Sequence, residues 1–123
     1  MKFQVKIVGH GPEALMFLDD PDNSFFILFN EDAPPELADI SVLHTKSEIY
    51  EEPMVGDTMK IGNKEFIITA VGIEAPITLK SLGHCTISFA GGSEAALPGC
   101  IMLEGCEKVI ASDLVEGTEV SIY

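Results

Sequence analysis

The chain has no arginine and no tryptophan, and its whole cationic complement is seven lysines (Lys2, Lys6, Lys46, Lys60, Lys64, Lys80 and Lys108) against 20 aspartates and glutamates. Arginine supplies the planar fork that grips phosphates and base edges with paired hydrogen bonds, and a formal charge of −13 repels a polyanion. Nucleic acid is therefore not an expected partner. Long apolar runs are also missing: no stretch approaches the roughly 20 residues that span a bilayer. Direct membrane insertion is not expected, and the cytoplasm is the expected compartment. Cysteine is sparse, with Cys85, Cys100 and Cys106 forming an odd set without a C-x-x-C pair. That pattern reads as reduced, mostly buried thiols, whose apolar neighbours disfavour a thiolate nucleophile. No Gly-rich phosphate loop of the P-loop type and no G-x-S-x-G serine elbow occurs.

What is present is apolar sequence in short pieces. Hydrophobic residues make up 46% of the 123 positions, enough for a core despite the charge, and the length predicts one domain, residues 1–123. Phe3, Val5 and Ile7 alternate with Lys2, Gln4 and Lys6, a half-buried strand from Lys2 to Val8 closed by Gly9-His10-Gly11. Pro12 suits a first helical position, so Glu13 to Leu18 predict a helix of one or two turns, broken by Asp19-Asp20-Pro21-Asp22-Asn23. Phe25 to Phe29 is a continuous apolar strand, and Pro34 to Asp39 make a single helical turn. Thr58 to Ile61 and Lys64 to Val71 flank Gly62-Asn63, a hairpin signal. Ile77, Leu79 and Leu82 mark a short amphipathic helix with Gly83 as its C-cap, followed by a strand from Cys85 to Phe89. Ile101 to Leu103 and Thr118 to Tyr123 are the last strands. Without long helices between strands, a βαβ sheet is disfavoured. The expected fold is mainly β: a closed or nearly closed, largely antiparallel β-barrel of about seven short strands with two or three short helices.

The stretch from Ile40 to Ile49 carries the chemistry. On a strand, Ile40, Val42, His44 and Lys46 share one face, while Ser41, Leu43, Thr45 and Ser47 share the other. An imidazole at the end of an apolar strand, beside donors, has the makings of a nucleophile; equally, a lone strand histidine is commonly a satisfied core or surface residue. His84 stands where the helix cap hands over to a strand, a place that presents side chains at a barrel rim or simply begins the strand. Of His44, His84 and the cysteines, only His84 and Cys85 are near neighbours, and they point to opposite faces. No metal and no other cofactor is expected.

The blocks Asp32-Ala33-Pro34-Pro35-Glu36-Leu37, Val42-Leu43-His44, Thr69-Ala70-Val71-Gly72, Leu82-Gly83-His84-Cys85-Thr86-Ile87 and Leu97-Pro98-Gly99 occur in this order over nearly the whole chain. In that order and spacing the sequence resembles the glucitol/sorbitol-specific enzyme IIA proteins of the bacterial phosphotransferase system. The resemblance implies a barrel-shaped phosphocarrier. Such a protein accepts a phosphoryl group on a histidine from the phosphocarrier protein HPr. It then passes the group to the B domain of the sugar-specific permease, whose IIB and IIC components are the implied partners. It further implies that His44, in the Val-Leu-His block, is the phosphoryl acceptor. Some members have a second histidine shortly after it; here Lys46 stands two residues on, so that role does not transfer. His84 matches the Leu-Gly-His block and is a candidate phosphoryl stabiliser.

Transfer between two phosphohistidines is near thermoneutral, so it needs positioning and charge stabilisation more than a metal. Thr45 and Lys46 are the candidate phosphoryl-binding residues, with Lys46 favoured because it shares the face of His44. The assignment expects an imidazole that solvent reaches, aimed by the sheet beneath it, with a second polar group beside the opening. Two other readings stay open at this level: a non-catalytic ligand-binding or adaptor β-barrel, and a small metal enzyme on a cupin-like barrel.

Overall fold

The computed structural model describes residues 2–20, 24–46 and 49–123. The described residues form eight strands: β1 (Phe3–His10), β2 (Phe25–Asn30), β3 (Val42–His44), β4 (Thr58–Ile61), β5 (Lys64–Val71), β6 (Cys85–Ser88), β7 (Cys100–Glu104) and β8 (Glu119–Ile122). Two helices, α1 (Pro35–Ala38) and α2 (Ala75–Leu82), and a 3-10 turn at Ala111–Asp113 complete the set. The strands close in the order β1-β3-β2-β6-β7-β5-β4-β8. Six of the eight pairings are antiparallel, while β2 with β3 and β6 with β7 run parallel. The chain must cross from one barrel end to the other to make a parallel pair, and α1 lies in the first of these crossovers.

Alternation along the strands sorts side chains to the two sides of the wall. Phe3, Val5 and Ile7 of β1 point inward with Phe26 and Leu28 of β2, Met59 and Ile61 of β4, and Val120 and Ile122 of β8. Phe66 and Ile68 of β5, Ile87 of β6, and Ile101 and Leu103 of β7 fill the rest of the interior. Each fully buried side chain of this size contributes about 1.5–3 kcal/mol. At Thr69 a register shift lets β5 change face, so Ala70 joins Met102 and Cys100 in a small cluster of its own.

The Gly62-Asn63 connection joins β4 to β5 with Ile61 opposite Lys64, as the hairpin signal predicts. Gly83 caps α2 in the left-handed conformation, φ 63°. The expected helix over Glu13 to Leu18 is instead a run of turns. Its bonds join residues three apart, Ala14 N to Gly11 O at 3.2 Å and Leu18 N to Leu15 O at 3.2 Å. Burying Ala14 and Leu18 in the core, with Gly11 N tied to Ser41 O, holds the segment tighter than an α-helix permits. Pro21, Asp22, Asn23, Ser47 and Glu48 lie outside the described residues. The strand foreseen across 40–49 is paired only over Val42–His44. Among the described residues no helix is long and apolar enough to cross a membrane.

Candidate functional site

His44 is the last residue of β3 and lies between a parallel neighbour, where it pairs with Asn30, and an antiparallel one, where it pairs with Ile7. Immediately after Ile7 the register of β1 shifts, leaving Val8 as the extra residue beside the histidine. Bulges of this kind bend a strand and re-aim what stands opposite. The backbone around the ring is tied on both flanks: Glu31 N donates to His44 O at 2.8 Å and Thr45 N to Lys6 O at 2.9 Å.

Because Val42 faces inward, so does His44, two residues on, and its ring meets Phe3 edge-on at 6.0 Å. The residue is 1% exposed. This departs from the expectation of a solvent-reachable ring, and the reason is the cap of α2, which folds over it. His44 Nδ1 lies 2.7 Å from the Thr45 carbonyl and Nε2 lies 2.8 Å from the Gly83 carbonyl. The ring is thus bracketed by polar backbone, not sealed among aliphatic groups. Asn30 closes the third side: a Cβ on Gly83 would collide with the Asn30 amide and come within 2.7 Å of His44 Cε1.

The remaining candidates fall outside this bracket. Thr45 Oγ1 accepts from Lys6 N at 3.1 Å, extending the β1–β3 pairing past the strand end. Lys46 does not follow His44 inward, since the strand has ended, and it bonds Asp32 at 2.7 Å with side-chain exposures of 64% and 58%. Lys46 holds the Asp32 carboxyl below the usual carboxylate range. His84 is half-buried and packs on Phe29 at a centroid distance of 4.9 Å. Since Cys85 and Ile87 face the core, His84 sits on the outer side of the wall, and no described hydrogen bond or ring contact joins it to His44. Its Nδ1 is buried without a partner.

A shallow groove of about 520 Å³ runs outside the bracket, lined by Phe29, Asn30, Asp32, Pro34, Leu37, Lys46, Lys80, Ser81 and Leu82. It brings two lysines to one opening, and Asn30 belongs both to the groove and to the wall around His44. Lys80 was not singled out from sequence, where it stands only as a basic residue late in a helix. Nor was Asn30, which carries no pattern of its own. Gly83 was readable as a cap, but a backbone carbonyl leaves no side-chain signature of what it binds. Among the described residues no three His, Cys, Asp or Glu side chains converge as metal ligands. Cys85 and Cys100 are buried, and burial pushes both thiols up, as inert core cysteines behave. Cys106 is exposed, contrary to its grouping with buried thiols.

The closed barrel has a structural counterpart. A crystal structure of a phosphotransferase-system IIA component from Enterococcus faecalis V583 superimposes with a TM-score of 0.79 at 27% identity, covering 97% of this chain and 98% of that one. The fold therefore belongs to the class of phosphotransferase-system IIA components. The sequence matches the family model described as PTS system glucitol/sorbitol-specific IIA component over residues 2–121. The glucitol/sorbitol-specific EIIA components of Escherichia coli (strain K12) and Shigella flexneri are each 32% identical over 103 residues, 84% of this chain and 81% of theirs. The chain belongs to the glucitol/sorbitol-specific IIA component family of the phosphotransferase system.

Proposed function

We propose that residues 1–123 act as one cytoplasmic phosphocarrier domain in which His44 accepts a phosphoryl group from phosphorylated HPr. The B domain of a glucitol/sorbitol permease then receives it, for coupled polyol uptake and phosphorylation. The observation that carries this reading is the placing of His44: within the Val-Leu-His block, at the end of β3, with an acceptor carbonyl 2.7 Å from Nδ1 and another 2.8 Å from Nε2. Attack through one nitrogen of a neutral imidazole leaves the proton on the other, so the ring formed is a phosphorylated imidazolium with one N–H to donate. Whichever nitrogen reacts, the other has an oxygen in place to orient it. Donor and product are both phosphohistidines, so the protein supplies geometry and charge, not bond energy.

Lys46 and Lys80 line the groove outside the bracket and are suited to meet an arriving phosphoryl dianion. Thr45 contributes through its carbonyl, which faces Nδ1, more directly than through its hydroxyl, which is engaged with Lys6. His84 is assigned to the phosphoryl group as it approaches, not to the His44 ring itself; what supports this is its packing on Phe29, a residue of the groove wall. Incubation with the general phosphotransferase proteins and labelled phosphoenolpyruvate tests the proposal. The parent should take up one acid-labile, alkali-stable phosphoryl group, and His44→Ala none. Labelling that survives in His44→Ala sinks the assignment and leaves the adaptor reading.

A further inference from the structure

The buried acceptor poses a steric problem whose solution lies in α2. A phosphorus atom cannot approach His44 Nε2 while the Gly83 carbonyl stands 2.8 Å from it. A neutral imidazole has one N–H and two carbonyls to face, so in the closed form one ring nitrogen points its lone pair at an oxygen. The Thr45 carbonyl belongs to the next residue and travels with the ring. The Gly83 carbonyl comes from a separate segment, 39 positions away.

That segment is held to α2 by three hydrogen bonds, one of them from a side chain. Gly83 N donates to Leu79 O at 3.0 Å and His84 N to Thr78 O at 3.2 Å, while Thr78 Oγ1 donates to His84 O at 2.7 Å. In the closed form His84 Nδ1 is buried without a partner. An unpaired buried polar atom costs about 1–3 kcal/mol, which lowers the cost of leaving that form. Gly83, at φ 63°, is the residue of this segment with the widest backbone freedom.

We propose that the C-cap of α2 is a latch on the acceptor histidine: the Gly83 carbonyl holds His44 Nε2 in the resting protein and must swing away before phosphoryl transfer. The proposal rests on His44 being the acceptor. With the latch open, water reaches the ring, takes the Nε2 proton and returns one to Nδ1, which donates it to the Thr45 carbonyl, and the freed Nε2 lone pair attacks the donor's phosphorus. The new N–P bond forms at Nε2 as the donor's N–P bond breaks, and its electron pair returns to the donor nitrogen. Nδ1 keeps its proton, so the loaded ring is an imidazolium, and the donor, itself a phosphorylated imidazolium before transfer, is left as a neutral imidazole. The transferred group then occupies the space of the Gly83 carbonyl, so the cap stays open while the protein is loaded.

Carbethoxylation by diethyl pyrocarbonate, followed residue by residue in the full chain by mass spectrometry, tests the latch. In the parent, His44 should react at least about tenfold more slowly than exposed His10, because modification requires opening. Thr78→Ala removes the hydroxyl tie at His84 without steric intrusion and should speed His44 about threefold while leaving His10 unchanged. Gly83→Ala should do the same more strongly. Imidazole ¹⁵N spectra should show the Nε2 resonance of His44 moving in both variants, with Nδ1 little affected. Equal rates for His44 and His10 in the parent overturn the latch, as does a His44 rate and Nε2 resonance unchanged by Thr78→Ala. Peptide mapping of the phosphorylated parent reads the underlying assignment separately: phosphate on another residue ends the acceptor role of His44, whatever the carbethoxylation rates are.

Discussion

The Gly83 carbonyl lies 2.8 Å from His44 Nε2, joining a helix cap to the end of a strand 39 positions earlier in the chain. Gly83 sits there because only a residue without Cβ fits between the Asn30 amide and His44, and because the cap needs φ 63°. Gly83→Ala is therefore expected to lose about 1–2 kcal/mol from the left-handed backbone alone, with more from the collision. Urea denaturation of parent and variant measures this; equal midpoints would mean the cap relocates at no cost.

His44 is also part of the core. Replacing it by alanine leaves the Gly83 carbonyl without a donor and opens space beside Phe3. A loss of about 1–3 kcal/mol follows from the unmade bond. His44→Gln keeps an amide donor near Gly83 and should recover part of that stability while taking up no phosphate. The pair separates folding from chemistry in one denaturation series with a labelling assay beside it.

The lysines of the groove should act on rate and not on stability. Lys46 and Asp32 form an exposed pair, which contributes little to folding. Lys46→Ala and Lys80→Ala should each unfold at the parent's temperature and take phosphate more slowly, most visibly at low salt, where charge is least screened. A double variant with the parent's transfer rate would show that the groove does not meet the phosphoryl group.

His84→Gln is expected to fold, since the ring is half-buried and makes no described hydrogen bond through its side chain. Its transfer rate should fall several-fold if the ring assists the approaching phosphoryl group, as proposed. Stopped-flow transfer at saturating donor reads this directly; a rate equal to the parent's reduces His84 to a packing partner of Phe29.

Acid should loosen the clamp around the 3-10 turn. Lys64 Nζ bonds Asp113 at 2.7 Å and also the Lys108 carbonyl, while Ile110 N donates to Asp113 at 2.9 Å. Burial pushes the Asp113 carboxyl up, but the Ile110 N–H and Lys64 outweigh it and leave the group below its usual 3.8. With the folded value under the unfolded one, the contribution is fully present above pH 3.8 and is lost as pH falls through the lowered folded value. Melting temperature should fall less steeply with acid below pH 3.8 in Asp113→Asn than in the parent.

Much of this architecture was readable because local signals and tertiary structure agreed. The Gly-Asn hairpin, the proline-led turn of α1 and the glycine cap of α2 each rest on the conformational limits of one or two residues, which neighbours do not override. Glu13 to Leu18 failed for the opposite reason: its helical signal was weak, and seating Ala14 and Leu18 in the core fixed a tighter turn. Lys46 was misdirected by carrying strand alternation past His44, where the pairing stops and Asp32 captures the ammonium. Cys106 looked like its two buried companions, since exposure at the end of a strand has no mark in composition.

Taken alone, the order of residues determined the family and the barrel and singled out a candidate histidine, because apolar alternation, turn residues and dispersed blocks are all properties of the linear chain. Whether that histidine lay open or covered was decided only in three dimensions. Its partners are backbone carbonyls and its cover is a helix cap, and atoms that every residue possesses acquire a role only when folding brings them to a particular place.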